Sequence, residues 1–278
     1  MEFRTLVKIE KPPFQIEPLE RMLFVGSCFA DSIGRRFLED KFRVDVNPYG
    51  VMYNPVSVLH TIERFMASPS EGVGEAPRIA FITLGTNHIY RLNETGEIVD
   101  NCQKRPQNLF TEEKLTVAEC VDSLSQAVGI LRQHRPDVHV VLTVSPIRYQ
   151  KYGFHGSQLS KATLLLAVEE TISRLSSPTS HVVYFPAYEI FMDELRDYRF
   201  YKPDMLHPSE QAVEYIWQQL VDSFFSSAAK QFLREWAPLK ATLAHRPFNP
   251  DSAEYRALMD KTMLKVMALQ KKYSIFAP

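Results

Sequence analysis

The chain has 278 residues, 45% hydrophobic and 23% charged, with 32 basic residues against 33 acidic ones and a formal net charge of -1. That length buries a sizeable core as one large domain or two small ones. The balanced charge gives no electrostatic basis for binding nucleic acid or an anionic membrane surface. The three cysteines, Cys28, Cys102 and Cys120, are too few and too scattered for a disulfide framework or a zinc site. Met1 to Glu20 mixes charges with Pro12 and Pro13 and lacks the apolar run of a signal peptide. No segment approaches the roughly 20 apolar residues of a membrane span. A reducing, cytoplasmic setting is expected, with no metal and no cofactor.

In chain order, Met22–Val25 is a short apolar run ended by Gly26, the pattern of a buried parallel strand. Ala30, Ile33, Gly34, Phe37 and Leu38 then recur at helical spacing as far as Asp40. Arg43–Val46 is a second candidate strand, closed by the turn Asn47-Pro-Tyr-Gly50. Val56–Met66 reads as a helix begun by Asn54-Pro55, and Ser68–Pro77 as a surface loop. Arg78–Leu84 is the clearest strand. Tyr90–Asn101 reads as a hairpin around Asn93-Glu-Thr-Gly96, and Lys114–His134 as an amphipathic helix. Val138–Val144, Ser160–Leu175 and His181–Phe185 continue the alternation as strand, helix and strand; Ala187–Arg196 reads as a further helix. Ser209–Leu243 reads as one long helical stretch broken near Ala237-Pro238, and Ala253–Tyr273 as the last helix. Alternating apolar strands and helices predict a doubly wound α/β fold. The expected organisation is one unit over residues 1–225, with residues 226–278 as a helical extension packed on it.

Open α/β sheets place their sites beyond the carboxyl ends of the strands. Ser27 and Cys28 follow the first strand, at a predicted helix N-terminus whose unpaired N–H groups stabilise an oxyanion or a thiolate. Taken alone, the pair also fits a helix-capping serine beside a small buried cysteine. Asp204-Met-Leu-His207 would supply a base and its orienting carboxylate from one short segment. It equally fits a capping aspartate and a surface histidine. The Gly50 backbone and the Asn87 amide are candidate oxyanion donors, with turn roles as the alternative. Thr86 follows the third strand beside Asn87. Arg148 would clamp an anionic group or form a surface ion pair, and Asn101 would line the pocket.

Together these residues resemble the GSCFA domain family. Leu23-Phe-Val-Gly-Ser-Cys-Phe-Ala30 looks like its signature. Asn47–Pro55, Thr83–Thr86, Asn101–Lys104, Thr143–Arg148, Ser160–Leu166, Tyr184–Ile190 and Asp204–Ser209 are supporting blocks. GSCFA proteins are in turn similar to the SGNH, or GDSL, hydrolases. The resemblance implies a three-layer α/β/α, flavodoxin-like parallel sheet with a C-terminal helical extension. It also implies an esterase or deacylase that acts on an acylated small molecule or carbohydrate through a covalent acyl-enzyme. In that register Cys28 falls on the nucleophile and Ser27 on the preceding residue; a slip of one residue exchanges them. Gly50 and Asn87 match the oxyanion glycine and asparagine, and Asp204 and His207 match the closing block. Two rival readings accompany this one: a coenzyme A-dependent acyltransferase, and a non-catalytic binding module on a decayed hydrolase fold.

Overall fold

The computed structural model describes residues 4–18, 20–67, 76–175 and 177–273. The surface loop expected at residues 68–77 lies outside them except for Ala76 and Pro77. The order is β1 (Arg21–Gly26), α1 (Cys28–Glu39), β2 (Arg43–Val46), α2 (Pro55–Ala67), β3 (Ile79–Leu84), β4 (His88–Leu92), β5 (Ile98–Val99) and β6 (Phe110–Lys114). There follow α3 (Val117–His134), β7 (His139–Val144), α4 (Gly153–Leu175), β8 (Val182–Tyr184), the single turn α5 (Ala187–Glu189), α6 (Glu210–Phe224), α7 (Ser227–Ala244) and α8 (Ala253–Tyr273).

Five strands form a parallel sheet in the order β2-β1-β3-β7-β8. Counting only these strands, the order is 2-1-3-4-5, the flavodoxin-like arrangement, and the chain reverses direction across the sheet between β1 and β3. Side chains alternate across each strand. Met22 and Phe24 of β1 join one core with Phe29, Ile33 and Phe37 of α1, Ile216 of α6 and Phe232 of α7. Leu23 and Val25 face the other way, into a second core with Val58 of α2, Leu124 of α3 and Leu164 of α4. The molecule is thus a three-layer α/β/α sandwich.

The helix expected over Lys114–His134 starts late, because Phe110–Lys114 is the edge strand β6 of a small antiparallel sheet ordered β5-β4-β6. The helix begins at Val117, because Thr116 and Glu119 form a reciprocal capping box. The long helical stretch breaks at Phe225-Ser226 rather than at Pro238. Ser226 caps α7 by accepting from the Ala229 N–H at 3.0 Å, and Pro238 lies inside that helix. α7 and α8 are packed on the rest of the chain: Phe232, Trp236, Leu239, Val266 and Leu269 belong to the core that holds α1.

Candidate active site

The carboxyl edge of β1 turns into α1 through Gly26, whose φ of +142° is open to glycine alone. A Cβ there would lie 2.0 Å from the Thr83 carbonyl oxygen. That contact also fixes Ser27, whose N–H donates to the Thr83 carbonyl at 3.0 Å. Ser27 is fully buried. Its hydroxyl lies 3.1 Å from Thr83 Oγ1 and accepts from the Phe29 N–H at 3.3 Å, which makes it the N-cap of α1. The Ser27 hydroxyl is thus committed to capping α1 and is buried.

Cys28 is the first residue of α1 and is partly exposed. Its backbone N–H has no intrahelical acceptor at that position. Its sulfur lies 3.4 Å from the Tyr53 hydroxyl. Tyr53 is held protonated: burial raises its pKa, and the neighbouring Cys28 adds to the shift. Tyr53 is itself pinned at the switch point. Its carbonyl accepts from the N–H groups of Gly85 and Thr86 at 2.8 and 2.9 Å, while the adjacent Met52 N–H donates to the Gly26 carbonyl at 2.8 Å. The segment from Asn47 to Asn54 thus runs across the carboxyl ends of β1 and β3.

The second half of the site lies beyond β7. His207 Nδ1 is 2.7 Å from Asp204 Oδ2, and Asp204 Oδ1 accepts from the N–H groups of Leu206 and His207 at 2.8 and 2.9 Å. Those two backbone bonds are the main cause of an Asp204 pKa lowered to about 2. An ionised Asp204 holds the proton on Nδ1 and leaves Nε2 as the basic nitrogen. The loop is closed by a bridge between Tyr201 and Pro208, with Met205 at a φ of +57°. Arg148 ties the loop to the end of β7: its N–H donates to the Leu206 carbonyl at 3.2 Å, and Nη1 to the Met205 carbonyl at 3.3 Å. The Arg148 guanidinium also lies 4.0 Å from the Phe154 ring centre.

The two halves meet through aromatic rings. Tyr149, the neighbour of Arg148, sets its ring perpendicular to that of Tyr53, with centres 6.0 Å apart. Among the described residues the side-chain hydrogen-bond partner of the Cys28 sulfur is Tyr53, and not His207. Gly85 makes room for the rings, since a Cβ there would lie 2.4 Å from the Tyr149 hydroxyl. Beneath them is Lys161, fully buried on α4, whose ammonium donates to the carbonyls of Gly85 at 2.7 Å and Ser145 at 2.6 Å. Burial lowers its pKa to about 7.

The expected oxyanion donors are engaged elsewhere. The Gly50 N–H donates to the Asn47 carbonyl at 2.8 Å, closing the turn. The Asn87 amide is buried and donates to the Leu115 carbonyl at 2.6 Å, bracing the start of α3. The Cys28 N–H and the Tyr53 hydroxyl are the donors beside the sulfur. Thr86 and Asn101 both line a cavity of about 260 Å³ bounded by Tyr53 and Tyr149. Tyr53, Tyr149 and Lys161 escape a sequence reading in chemical terms, although all three fall inside or beside the quoted blocks. A tyrosine or lysine in such a block signals nothing until the fold brings it to the sulfur.

The chain belongs to the GSCFA family, whose model matches residues 21–76 and 71–220. The model of the GSCFA domain protein C-terminal domain matches residues 236–277. No curated protein matches. Among solved structures, the chain is similar to a carbohydrate esterase family 3 protein from Talaromyces cellulolyticus, at 12% identity over 78% of this chain and 99% of that one, with a TM-score of 0.44. It is also similar to a family two carbohydrate esterase from Clostridium thermocellum, at 12% identity over 76% and 64% of the two chains, TM-score 0.43. A carbohydrate esterase family 2 enzyme from Corynascus thermopiles gives 15% identity over 79% and 69%, TM-score 0.44. No described helix is long and apolar enough to cross a membrane.

Proposed function

For this member of the GSCFA family we propose hydrolysis of an ester bond through a thioester acyl-enzyme on Cys28. The observation that carries the reading is the Asp204–His207 pair, set on the same carboxyl edge of the sheet as a partly exposed cysteine at a helix N-terminus. His207 Nε2 takes the thiol proton, and the sulfur bonds to the ester carbonyl carbon. The Cys28 N–H and the Tyr53 hydroxyl stabilise the oxyanion. The C–O bond then breaks, and the leaving alcohol takes the proton from His207. Water, deprotonated by His207, attacks the thioester, so that the acid leaves and the thiol is restored. Asp204 orients His207 and stabilises its charged form. Catalytic hydrogen bonds are often long in unliganded enzymes and tighten in the substrate complex, which accounts for a sulfur that rests on Tyr53. The catalytic unit spans residues 1–225, with 226–278 as its helical extension, and the substrate is an acylated small molecule or carbohydrate.

The test is an acyl panel, p-nitrophenyl acetate included, read by alcohol release and by intact mass. Turnover with an acyl adduct on Cys28, lost in Cys28→Ala and His207→Ala, is the expected result. An inert folded protein whose Cys28 also resists iodoacetamide would overturn the proposal, as would an adduct on Ser27.

A further inference from the structure

The cavity of about 260 Å³ lies between the small antiparallel sheet and the segment after β7, with Tyr53 as the wall it shares with Cys28. Its volume is just below the usual range of drug-sized pockets, enough for one ring or a short chain. His88 lines it and is only 5% exposed. His88 Nδ1 lies 2.8 Å from Glu112 Oε1, and Lys151 holds the same carboxylate at 2.9 Å. The ring is further fixed by stacking on Tyr152, with centres 3.6 Å apart. Burial lowers the His88 pKa and favours the neutral ring, in which the Glu112 carboxylate at Nδ1 selects the tautomer with its proton there. Its Nε2 is then a lone-pair acceptor, buried and without a hydrogen-bond partner among the described residues. The hydroxyl of Tyr149, a residue that also lines the cavity, is buried and has no hydrogen-bond partner among the described residues. Buried polar atoms are nearly always satisfied, so two orphans in one wall require an explanation.

We propose that this cavity is a subsite for a neutral, hydroxyl-bearing group, which donates to His88 Nε2 and pairs with the Tyr149 hydroxyl. Resting on the reading above, the group is the alcohol half of the ester. The wall offers an anion no cationic partner: among the described residues no lysine or arginine lines it, Asp100 is paired with His60 at 2.9 Å, and Glu112 stands behind His88. The nearby ammonium of Lys151 is matched to Glu112. Tyr90 and Tyr152 offer ring faces to an aliphatic or sugar ring, while Thr86 and Asn101 add polar edges.

Saturation-transfer NMR tests this with glycerol, myo-inositol and methyl β-D-glucopyranoside as neutral probes and glucuronate as the anionic one. At least one neutral probe is expected to bind, and more tightly than glucuronate. Tyr149→Phe is expected to weaken it at least threefold with Tm unchanged, and His88→Gln to weaken it more. Cys28→Ala is expected to bind it as the parent does, which separates this subsite from the nucleophile assignment. Absence of binding by all three neutral probes, preference for glucuronate, or an undiminished signal in Tyr149→Phe would overturn the proposal. Tyr149→Phe removes a single unpartnered oxygen, so it decides the matter even if His88→Gln fails to fold.

Discussion

The sulfur of Cys28 and the hydroxyl of Tyr53 lie 3.4 Å apart, and burial keeps the tyrosine protonated. A protonated phenol beside a nucleophilic sulfur donates to the thiolate, and hydrogen bonds to charged groups are worth more than neutral ones. Tyr53→Phe is therefore expected to slow iodoacetamide alkylation of Cys28 at pH 7 by about three- to tenfold. Intact-mass kinetics check it; an unchanged rate would show that Tyr53 only packs.

Ser27→Ala separates the two candidate nucleophiles. Losing an N-cap costs about 1 kcal/mol, which a urea melt measures. Cys28 alkylation and any ester turnover are expected to persist. Loss of turnover in folded Ser27→Ala would return the nucleophile to Ser27.

Gly26→Ala is expected to destabilise by about 3 kcal/mol or more, combining a strained φ with overpacking. The new methyl would meet the Thr83 carbonyl, part of the parallel ladder between β1 and β3, so relief requires prising those strands apart. The shift in urea midpoint measures it.

Asp204 titrates far from neutrality. Its folded pKa, near 2, is below the ordinary value of 3.8, so its contribution to stability is present above about pH 4 and fades as pH falls toward 2. Asp204→Ala leaves the amides of Leu206 and His207 without their acceptor. Hydrogen exchange at those two amides is expected to quicken, with the core amides of β3 unchanged.

Lys161 acts with the same sign in a higher window. Its pKa falls from 10.5 to about 7 on folding, so between those values the unfolded chain binds the extra proton and stability rises with pH. A neutral amine still has two N–H groups for the carbonyls of Gly85 and Ser145. Tm is expected to climb from pH 7 to pH 9 in the parent and to climb less in Lys161→Met. Equal slopes would show that Lys161 stays charged throughout.

Most of the parallel strands were legible because they are short apolar runs closed by glycine or proline, as Met22–Val25 and Arg78–Leu84 show. β6 was not, because Phe-Thr-Glu-Glu-Lys on a solvated edge resembles the start of a helix. The break at Phe225-Ser226 was hidden by apolar residues on both sides, whereas Pro238 advertised a break that α7 absorbs. The start of α4 at Gly153 was placed seven residues late, because Phe154 and Leu159 are exposed and leave the apolar period unmarked. At the site, Asp204 and His207 stand three residues apart in one loop and are readable together. Tyr53 reaches Cys28 from 25 residues away, and Lys161 reaches Gly85 from 76, which no local pattern encodes.

The far end of α1 has partners of its own. The Trp236 indole donates to the Glu39 carbonyl at 3.1 Å, and Lys240 pairs with Glu39 and Asp40 at 3.0 and 2.8 Å. A helix of 12 residues is a stiff rod about 18 Å long. One tip of the rod is bolted to the sheet beside the thiol, and the other to the penultimate helix. These contacts oppose sliding of the rod along its axis, so α7 helps to keep the sulfur in register from the far end of α1.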